Sequence, residues 1–353
     1  MQKKIKIGIT IGDINGIGPE VIIKALSNPR ITNYFIPIIY GSAKVMAYHK
    51  NIVKDANFSF VSIKHADNAA HNNINVFNVW DEQSDIELGL ATKDSGRFAM
   101  MALEQAVKDA KEGLIQAIVT APINKNAMKL ANFEHVGHTE YLAKEFEAIE
   151  TAMTMVSDSA IISLASNHIP VSEIGNTLNK KTILRKLKVL TKSLKQDFGF
   201  ENPKIAVLGL NPHAGDDGVI GDDEEKYIKP AIKEAKNNGV LAAGPYPADG
   251  FFGNAAFKKF DAILAMYHDQ GLIPFKLLSF GAGVNFTAGL PVIRTSPDHG
   301  TAYSIAGKDL ANADSMRKAI FLAKDLYINR IRSMKDGKDP LKKSPKRQEE
   351  IQE

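Results

Sequence analysis

Short apolar runs alternate with amphipathic helical patterns along most of the sequence, and this alternation constrains the fold more than any other feature. The run KIGITIG precedes PEVIIKALS, FIPIIYG precedes AKVMAYHK, and KIAVLGL precedes DEEKYIKPAIKEAKNN. A strand followed by a helix and then by another strand is typical of parallel sheets with helical crossovers. The sequence therefore predicts an α/β protein with largely parallel sheets.

One stretch departs from this alternation. The segments TAMTMV and AIISLAS flank the turn SDS, a pattern typical of two antiparallel strands. It predicts a β-hairpin near residues 152–165. The chain of 353 residues is also longer than one hydrophobic core usually supports, so we expect two lobes.

Composition excludes several classes of site. The chain has no cysteine, which excludes disulfides, thiolate zinc sites and cysteine nucleophiles, and is consistent with a cytoplasmic protein. No apolar run approaches the roughly 18 residues that a membrane-spanning helix needs. The N-terminal lysines precede an apolar stretch that glycines and Asp13 interrupt, which is typical of a first strand and not of a signal peptide.

The modest net charge of +4 has a local source. Many lysines lie in NKKTILRKLKVLTKSLKQ, where leucines and an isoleucine recur at helical spacing and the basic residues occupy the other face. No aromatic residues accompany them to stack on bases, so we interpret this face as a solvated helix surface and expect no nucleic-acid partner. The charged tail, residues 335–353, is predicted to be disordered.

Three histidines follow apolar, strand-like runs: His168 comes after IISLASN, His213 after IAVLGLNP, and His268 after DAILAMY. Because α/β proteins bind ligands at the carboxyl ends of their strands, these imidazoles could converge on one divalent ion. They could equally be hydrogen-bonded structural histidines, since their wide separation forms no local ligand motif. His49, His65 and His71 lie in polar or loop-like sequence, and we predict no role for them.

Two further segments carry candidate binding groups. In GHTEY, His138 and Thr139 stand at a predicted helix start, where Thr139 could also be a simple N-cap. Downstream, Lys276, Asn285 and Arg294 follow His268 in a glycine-rich, apolar stretch. An ammonium, an amide and a guanidinium together form a plausible cradle for a phosphate or carboxylate.

The loop GDINGIGPE lies between a predicted strand and a predicted helix. It matches neither the G-x-G-x-x-G fingerprint nor the P-loop. Its glycines allow close backbone approach, and Pro19 suits a first helical turn. A helix that begins here would favour an anion or another polar ligand at its N-terminus.

Long segments of the chain are similar to one known family. They are GDINGIGPE, VTAPINK, GHTEYLA, LNPHAGDDG, GPYPADGFF, YHDQGLIPFK and GVNFTAGLPVIRTSPDHGTAYSIAGK. On these strings the sequence resembles the 4-hydroxythreonine-4-phosphate dehydrogenase family, which belongs with the isocitrate and isopropylmalate dehydrogenases. Two places depart from the family pattern: Asp13-Ile14-Asn15-Gly16 stands where Asp-Pro-Ala-Gly is usual, and DLANADSM follows Lys308.

The resemblance implies a fold of two α/β lobes around a cleft, like that of isopropylmalate dehydrogenase and without the usual dinucleotide fold. Residues 1–125 and 280–334 would form a discontinuous lobe that carries the nicotinamide cofactor loops. Residues 126–279 would form the metal-binding and dimerisation lobe. The resemblance further implies a homodimer with its active sites at the subunit interface.

The resemblance also assigns site residues. One divalent ion (Zn²⁺, Mg²⁺ or Co²⁺) would be bound by His168, His213 and His268. The phosphorylated hydroxy-amino-acid substrate would be contacted by His138, Thr139, Lys276, Asn285 and Arg294. NAD or NADP would be bound by Gly16, Gly18, His299, Gly300, Ile305, Ala306 and Gly307. Asp269 and His138 are the catalytic candidates, and the base that removes the hydroxyl proton is Asp269, His138 or a bound water.

The implied reaction oxidises 4-phosphooxy-L-threonine to 2-amino-3-oxo-4-phosphooxybutanoate, which loses carbon dioxide to give 3-amino-2-oxopropyl phosphate, in pyridoxal 5′-phosphate biosynthesis. A paralogous dehydrogenase of a phosphorylated sugar acid or a dihydrodiol carboxylate is the closest alternative. A metal-dependent hydrolase or aldolase would use the same histidines without a nicotinamide. A non-enzymatic protein that binds metal or phosphate is the third alternative.

Overall fold

The computed structural model describes residues 4–54 and 56–336, and its strands form one twelve-stranded sheet. The strands are β1 (Lys6–Thr10), β2 (Ile36–Gly41), β3 (Phe60–Ile63), β4 (Ile74–Asn78), β5 (Ala117–Thr120), β6 (Ala152–Val156), β7 (Ile161–Leu164), β8 (Lys204–Leu208), β9 (Leu241–Tyr246), β10 (Ala262–Ala265), β11 (Val284–Ala288) and β12 (Ile293–Pro297). Their order across the sheet is β3-β4-β2-β1-β5-β12-β11-β6-β7-β10-β8-β9. The α/β class is confirmed.

The helices alternate with these strands. They are α1 (Gly18–Leu26), α2 (Ala43–Ile52), α3 (Lys93–Lys111), α4 (Lys125–Leu130), α5 (His138–Glu145), α6 (Ile174–Thr177), α7 (Lys180–Gln196), α8 (Lys229–Asn237), α9 (Ala248–Gly253), α10 (His268–Ser279) and α11 (Asp314–Asp336). The helix predicted over DEEKYIKPAIKEAKNN starts as a π-helical turn, Glu224–Ile228, before α8. The prediction of disorder from residue 335 onward was wrong for Lys335 and Asp336, which end α11. Residues 337–353 lie outside the described part.

Two parallel arrays make up the sheet, and antiparallel strands join them. Within the first array, β3, β4, β2, β1, β5 and β12 pair in parallel, and within the second array β7, β10, β8 and β9 pair in parallel. Between the arrays, β12 with β11, β11 with β6, and β6 with β7 pair antiparallel. Three reversals make the two arrays run in opposite directions. The predicted hairpin near 152–165 is the β6–β7 pair.

Both faces of the second array are buried. Along β10, Ala262 and Leu264 pack in one apolar core with α7 and α8, whereas Ile263 and Ala265 pack on the other face with Phe251 and other apolar residues. A strand buried on both faces reads as a continuous apolar run, which is why the sequence revealed it. A third, larger core surrounds the first array. The lobe boundaries at 125/126 and 279/280 stay a prediction.

The basic segment forms the amphipathic helix that its spacing predicted. In α7, Ile183, Leu187 and Leu194 are fully buried. Lys186 on the same helix forms an ion pair with Glu150, its Nζ 2.5 Å from Oε1. Within residues 4–54 and 56–336, no helix has both the length and the apolar character needed to cross a bilayer.

Candidate active site

One cavity of about 370 Å³ brings together half of the predicted site residues. It extends from the carboxyl end of β5 across β11 and β6 to the loops that follow β7 and β10. The predicted residues that line it are His138, His168, His268, Lys276, Asn285, Arg294, His299 and Gly300. Cross-strand pairing of Asn285 with Met155 forms part of its floor. Eight predicted residues are not among its lining residues: Thr139, His213, Asp269, Gly16, Gly18, Ile305, Ala306 and Gly307.

Arg294 is the buried cation of this cavity. It lies on β12 with 3% of its surface exposed. Its Nε and Nη2 donate to the Thr120 hydroxyl at 3.2 and 2.6 Å, and its Nη1 donates to the Thr287 hydroxyl at 3.1 Å. No carboxylate of the described residues forms an ion pair with it, and burial lowers its pKa to about 10. The charge of Glu140 offsets only part of this effect of burial. A buried guanidinium without an ion-pair partner is costly, so this end of the cavity favours an anion.

Three buried polar atoms around the cavity have no hydrogen-bond partner within the described residues: His138 Nε2, Asn285 Oδ1 and His299 Nε2. Buried polar atoms in folded proteins are nearly always satisfied. A polar ligand in the cavity would satisfy them. Burial, and then the charge of Arg294, lower the pKa of His138 well below its usual value, so its imidazole is neutral at physiological pH.

His168 and His268 lie together at the other end of the cavity, with 5.8 Å between their ring centroids. His268 Nδ1 is 2.7 Å from Asp269 Oδ1. If Nδ1 carries the proton, it donates to this carboxylate and the lone pair of Nε2 is free for a metal ion. The same histidines line an adjoining cavity of about 570 Å³ together with Asp269 and Asn167. Two imidazoles, one of them oriented by a carboxylate, fit a divalent cation.

His213 lies in a separate segment, Pro212–Gly218, after β8. The backbone φ of every residue from His213 to Asp217 is positive, which is uncommon for residues other than glycine. Glu224, which is 1% exposed, fixes the backbone just before this segment. Its Oε1 accepts the backbone N–H of Leu210 at 2.7 Å and that of Asn211 at 2.8 Å. Across 4–54 and 56–336, no three His, Cys, Asp or Glu side chains form a metal-binding group. All three predicted metal ligands, His168, His213 and His268, therefore stay predictions.

The predicted cofactor segments are neighbours. The backbone N–H of Ile17 donates to Thr301 O at 3.0 Å, and a Cβ on Gly16 would lie only 2.9 Å from that oxygen, so a glycine is needed there. Tyr303 donates its hydroxyl to buried Asp13 at 2.6 Å. The loop of Gly16 and Gly18 thus packs directly on the 299–307 segment, whose first two residues line the same cavity as Arg294.

Comparison with known proteins shows the family and the fold of the chain. The family model described as "Pyridoxal phosphate biosynthetic protein PdxA" matches residues 33–323. The 4-hydroxythreonine-4-phosphate dehydrogenase of Bacteroides thetaiotaomicron is 48% identical over 344 residues, 97% of this chain and 94% of that protein. The chain belongs to this family. Its fold matches the crystal structure of the Klebsiella pneumoniae 4-hydroxythreonine-4-phosphate dehydrogenase with a TM-score of 0.81 at 37% identity, covering 92% and 98% of the two chains.

The family also includes a second substrate class among its relatives. A protein of Oceanobacillus iheyensis, provisionally named D-threonate 4-phosphate dehydrogenase, is 38% identical over 330 residues, 92% of this chain and 99% of that protein. The substrates in these two names both carry a phosphate. This is consistent with a shared anion site, and the group on the second carbon distinguishes the two compounds.

Lys125 is a cavity residue that the sequence reasoning missed. It begins α4, directly after the loop that follows β5, and it lines the cavity. Its charge contributes to the lowered pKa of His168, for which burial is the larger cause. The sequence does indicate this residue, because VTAPINK, one of the segments that resemble the family, ends on Lys125 just after a buried strand. Asp298, another lining residue, was missed although it precedes His299 in a family string.

Two minor expectations were wrong. His49 is not in a polar loop: it lies in α2, 1% exposed, with Nε2 2.8 Å from Ile14 O. A helical histidine that faces a neighbouring loop cannot be recognised from local polarity. Thr139 is not an N-cap, because α5 starts at His138 with Gly137 as its cap residue. Thr139 thus lies in the first turn beside His138.

Proposed function

We propose that this chain is an NAD(P)- and divalent-metal-dependent dehydrogenase that oxidises 4-phosphooxy-L-threonine at its third carbon. The observation that carries the proposal is Arg294, a buried guanidinium with no carboxylate partner in the described part of the chain. It lies in the same cavity as the His168–His268 pair and the His299–Gly300 end of the cofactor segment. Phosphate, metal and cofactor positions are therefore adjacent.

The substrate phosphate binds at the Arg294 end. Arg294 and Lys276 supply positive charge, and His138 Nε2 can donate if that nitrogen carries the proton of the neutral ring. Asn285 reaches the same space through its amide. Phosphate binding restores a counter-charge to the guanidinium and gives partners to buried polar atoms, so binding removes costs that the empty cavity carries.

The metal ion is held at the other end by His168 and His268. A divalent ion there would lower the pKa of the substrate hydroxyl and favour loss of its proton. Asp269 orients His268 through the 2.7 Å contact with its Nδ1. Asp269 is also the proposed proton acceptor, because the strongly lowered pKa of His138 makes that imidazole a weak base. Lys125 pairs with the substrate carboxylate near His168.

His213 completes the metal site from a second copy of the chain. Helix α10, which begins at His268, exposes the apolar side chains of Ile273 and Leu277 by 60 and 69%, and Phe280, the residue after its end, is 90% exposed. Ile273 and Leu277 are four residues apart and share one face of the helix. Val219, just after the His213 segment, is 80% exposed. Exposed apolar faces of this kind mark association surfaces, and a homodimer would bring the two segments together.

Complementation between two inactive variants tests the shared site. His213→Ala and His268→Ala are each purified and then mixed under conditions that exchange subunits. If the ligands come from different copies, each mixed dimer regains one intact site and activity returns. If all three histidines act within one chain, mixing restores nothing, and the interface proposal fails.

The reaction itself is tested by the absorbance of reduced nicotinamide with 4-phosphooxy-L-threonine, a divalent metal and either NAD or NADP. Activity should depend on the metal, disappear with a chelator, and be lost in the His168→Ala variant. No reduction with either nicotinamide under any metal would refute the dehydrogenase assignment.

D-threonate 4-phosphate is the second candidate substrate, because a relative carries that name. Both compounds are assayed at equal concentration with the same enzyme. A higher kcat/KM for 4-phosphooxy-L-threonine supports the proposal. The opposite preference refutes the substrate assignment and leaves the phosphate site intact.

A further inference from the structure

Asn15 is fully buried in the loop between β1 and α1, and the hydrogen bonds of its side-chain amide all reach one segment of the chain, residues 86–92. Its Oδ1 accepts the backbone N–H of Glu87 at 2.9 Å. Its Nδ2 donates to Leu90 O at 3.0 Å and to the Thr92 hydroxyl at 3.2 Å. Its backbone oxygen accepts the N–H of Gly89 at 2.8 Å. One residue thus satisfies polar groups along the whole segment.

The conformation of residues 86–92 depends on Asn15, because these residues belong to neither a helix nor a strand whose backbone hydrogen bonds could fix them. Residues 86–92 connect β4 to α3 and have no ladder of their own. Thr92, at the end of the segment, is also the N-cap of α3, where its hydroxyl accepts the N–H of Ser95 at 3.1 Å. The Asn15 amide therefore joins the loop before α1 to the start of α3.

The same segment supports the back of the cofactor segment, residues 299–307. A Cβ on Gly307 would clash with the side chain of Leu88, and a Cβ on Gly89 would lie 3.1 Å from Tyr303 O. The two stretches are therefore in close contact at two points. A shift of residues 88 and 89 would remove the support under 303–307.

We propose that Asn15 is a positioning residue for the nicotinamide cofactor: its amide fixes residues 86–92, and these hold 299–307 in the conformation that binds the dinucleotide. The inference rests on the proposed function, which places the cofactor at 299–307. Because the Asn15 side chain is completely buried, it acts without touching the cofactor. Cofactor affinity should therefore depend on an amide that has no part in the phosphate or metal sites.

The test compares Asn15→Ala with a matched control, Asn75→Ala. Asn75 on β4 is also fully buried, and its amide also bridges backbone groups: Oδ1 accepts Ala70 N at 2.7 Å, and Nδ2 donates to Pro37 O at 3.1 Å. Both variants lose a comparable buried amide. Dissociation constants for NAD and NADP are measured by titration calorimetry, alongside kcat and the KM of the phosphorylated substrate at saturating cofactor.

We expect Asn15→Ala to weaken cofactor binding about tenfold, within the range usual for coupling between sites. Its kcat at saturating cofactor and the substrate KM should stay within about twofold of the wild-type values. Without cofactor, the amides of Glu87 and Gly89 should exchange hydrogen faster than in the wild type. Asn75→Ala should show neither the affinity loss nor faster exchange at those amides.

Unchanged cofactor affinity in Asn15→Ala, or an equal loss in Asn75→Ala, would overturn the inference while the wild type still binds nicotinamide. Failure of the wild type to bind either dinucleotide would instead overturn the proposed function, and the inference with it. If Asn15→Ala does not fold, Leu88→Ala replaces it. That variant removes the partly buried side chain under Gly307 and should weaken cofactor binding in the same direction.

Discussion

Replacing Arg294 with methionine should stabilise the ligand-free protein while abolishing phosphate binding. Burial lowers the pKa of Arg294 from its ordinary value to about 10, because it disfavours the charged form. Each tenfold change in proton affinity corresponds to about 1.4 kcal/mol, so burial costs the folded protein roughly 3 kcal/mol at neutral pH. The sign follows because a base whose pKa falls on folding holds its proton less tightly in the folded state.

Part of this gain is offset by lost hydrogen bonds. Arg294 donates to the hydroxyls of Thr120 and Thr287, and each net bond contributes about 0.5–1.5 kcal/mol. Methionine fills a similar volume without charge. The net change should be a stabilisation of about 1 kcal/mol, or roughly 1–3 °C in Tm for a chain of this size.

Arg330 provides the matched control. It is also buried, at 8% exposure, but it is paired with Asp197: its Nε donates to Oδ1 at 2.6 Å and its Nη2 donates to Oδ2 at 3.0 Å. Arg330→Met leaves that carboxylate buried and uncompensated, so it should destabilise the protein by about 3–5 kcal/mol. The two variants thus change stability in opposite directions.

Thermal and urea unfolding are followed by circular dichroism, with and without inorganic phosphate. A ligand at a hundred times its Kd stabilises the folded state by about 2.7 kcal/mol, so phosphate should raise the Tm of the wild type and leave that of Arg294→Met unchanged. If Arg294→Met is destabilised as strongly as Arg330→Met, Arg294 is a structural residue. The interpretation of Arg294 as an anion-binding cation without an ion-pair partner is then wrong.

Three further predictions follow from individual contacts. Burial lowers the pKa of His49 to about 4, so between about pH 6.5 and 4 the unfolded chain binds a proton that the folded protein does not. Acidification over that window should lower the free energy of unfolding by roughly 3 kcal/mol. Urea titrations of His49→Gln should lack this pH dependence. Asp269→Asn should weaken metal binding about 10–100-fold, because His268 loses its carboxylate partner. Competition with a chromophoric chelator measures the metal affinity, and an unchanged affinity would argue against Asp269 as the orienting group. Gly96→Ala should destabilise the protein by about 1–3 kcal/mol in urea unfolding, because a Cβ on this α3 residue would clash with Ala127 O of α4. An unchanged stability would mean that the two helices can move apart without a cost in free energy.

The strands could be predicted because most of them are buried on both faces. A run such as Ala262–Ala265 carries its own signal, as does the SDS turn of the β6–β7 hairpin. The antiparallel position of β11 between β12 and β6 could not be predicted, because strand order depends on contacts between distant segments. No pattern in the sequence shows that the two parallel arrays run in opposite directions.

The site was predictable where a chemical group follows a strand, and less so where geometry decides. His168, His268 and Arg294 do line one cavity, as expected from strand ends and from the resemblance. The left-handed backbone of the His213 segment has no simple sequence signal, since four of its five residues are not glycine. Asn15 was noted only as a departure from the family pattern, because its partners lie more than seventy residues away.

The two ends of the cavity differ in burial, and this difference predicts which function needs a second subunit. Arg294 is already 3% exposed within a single chain, whereas the side chains of His268 and Asp269 are 37 and 71% exposed. An open metal end can accept a third imidazole from another copy, while the closed phosphate end needs no completion. Dilution below the dimer Kd should therefore preserve phosphate binding and weaken metal binding. If both affinities survive dilution unchanged, each chain holds a complete site, and the shared metal centre is wrong.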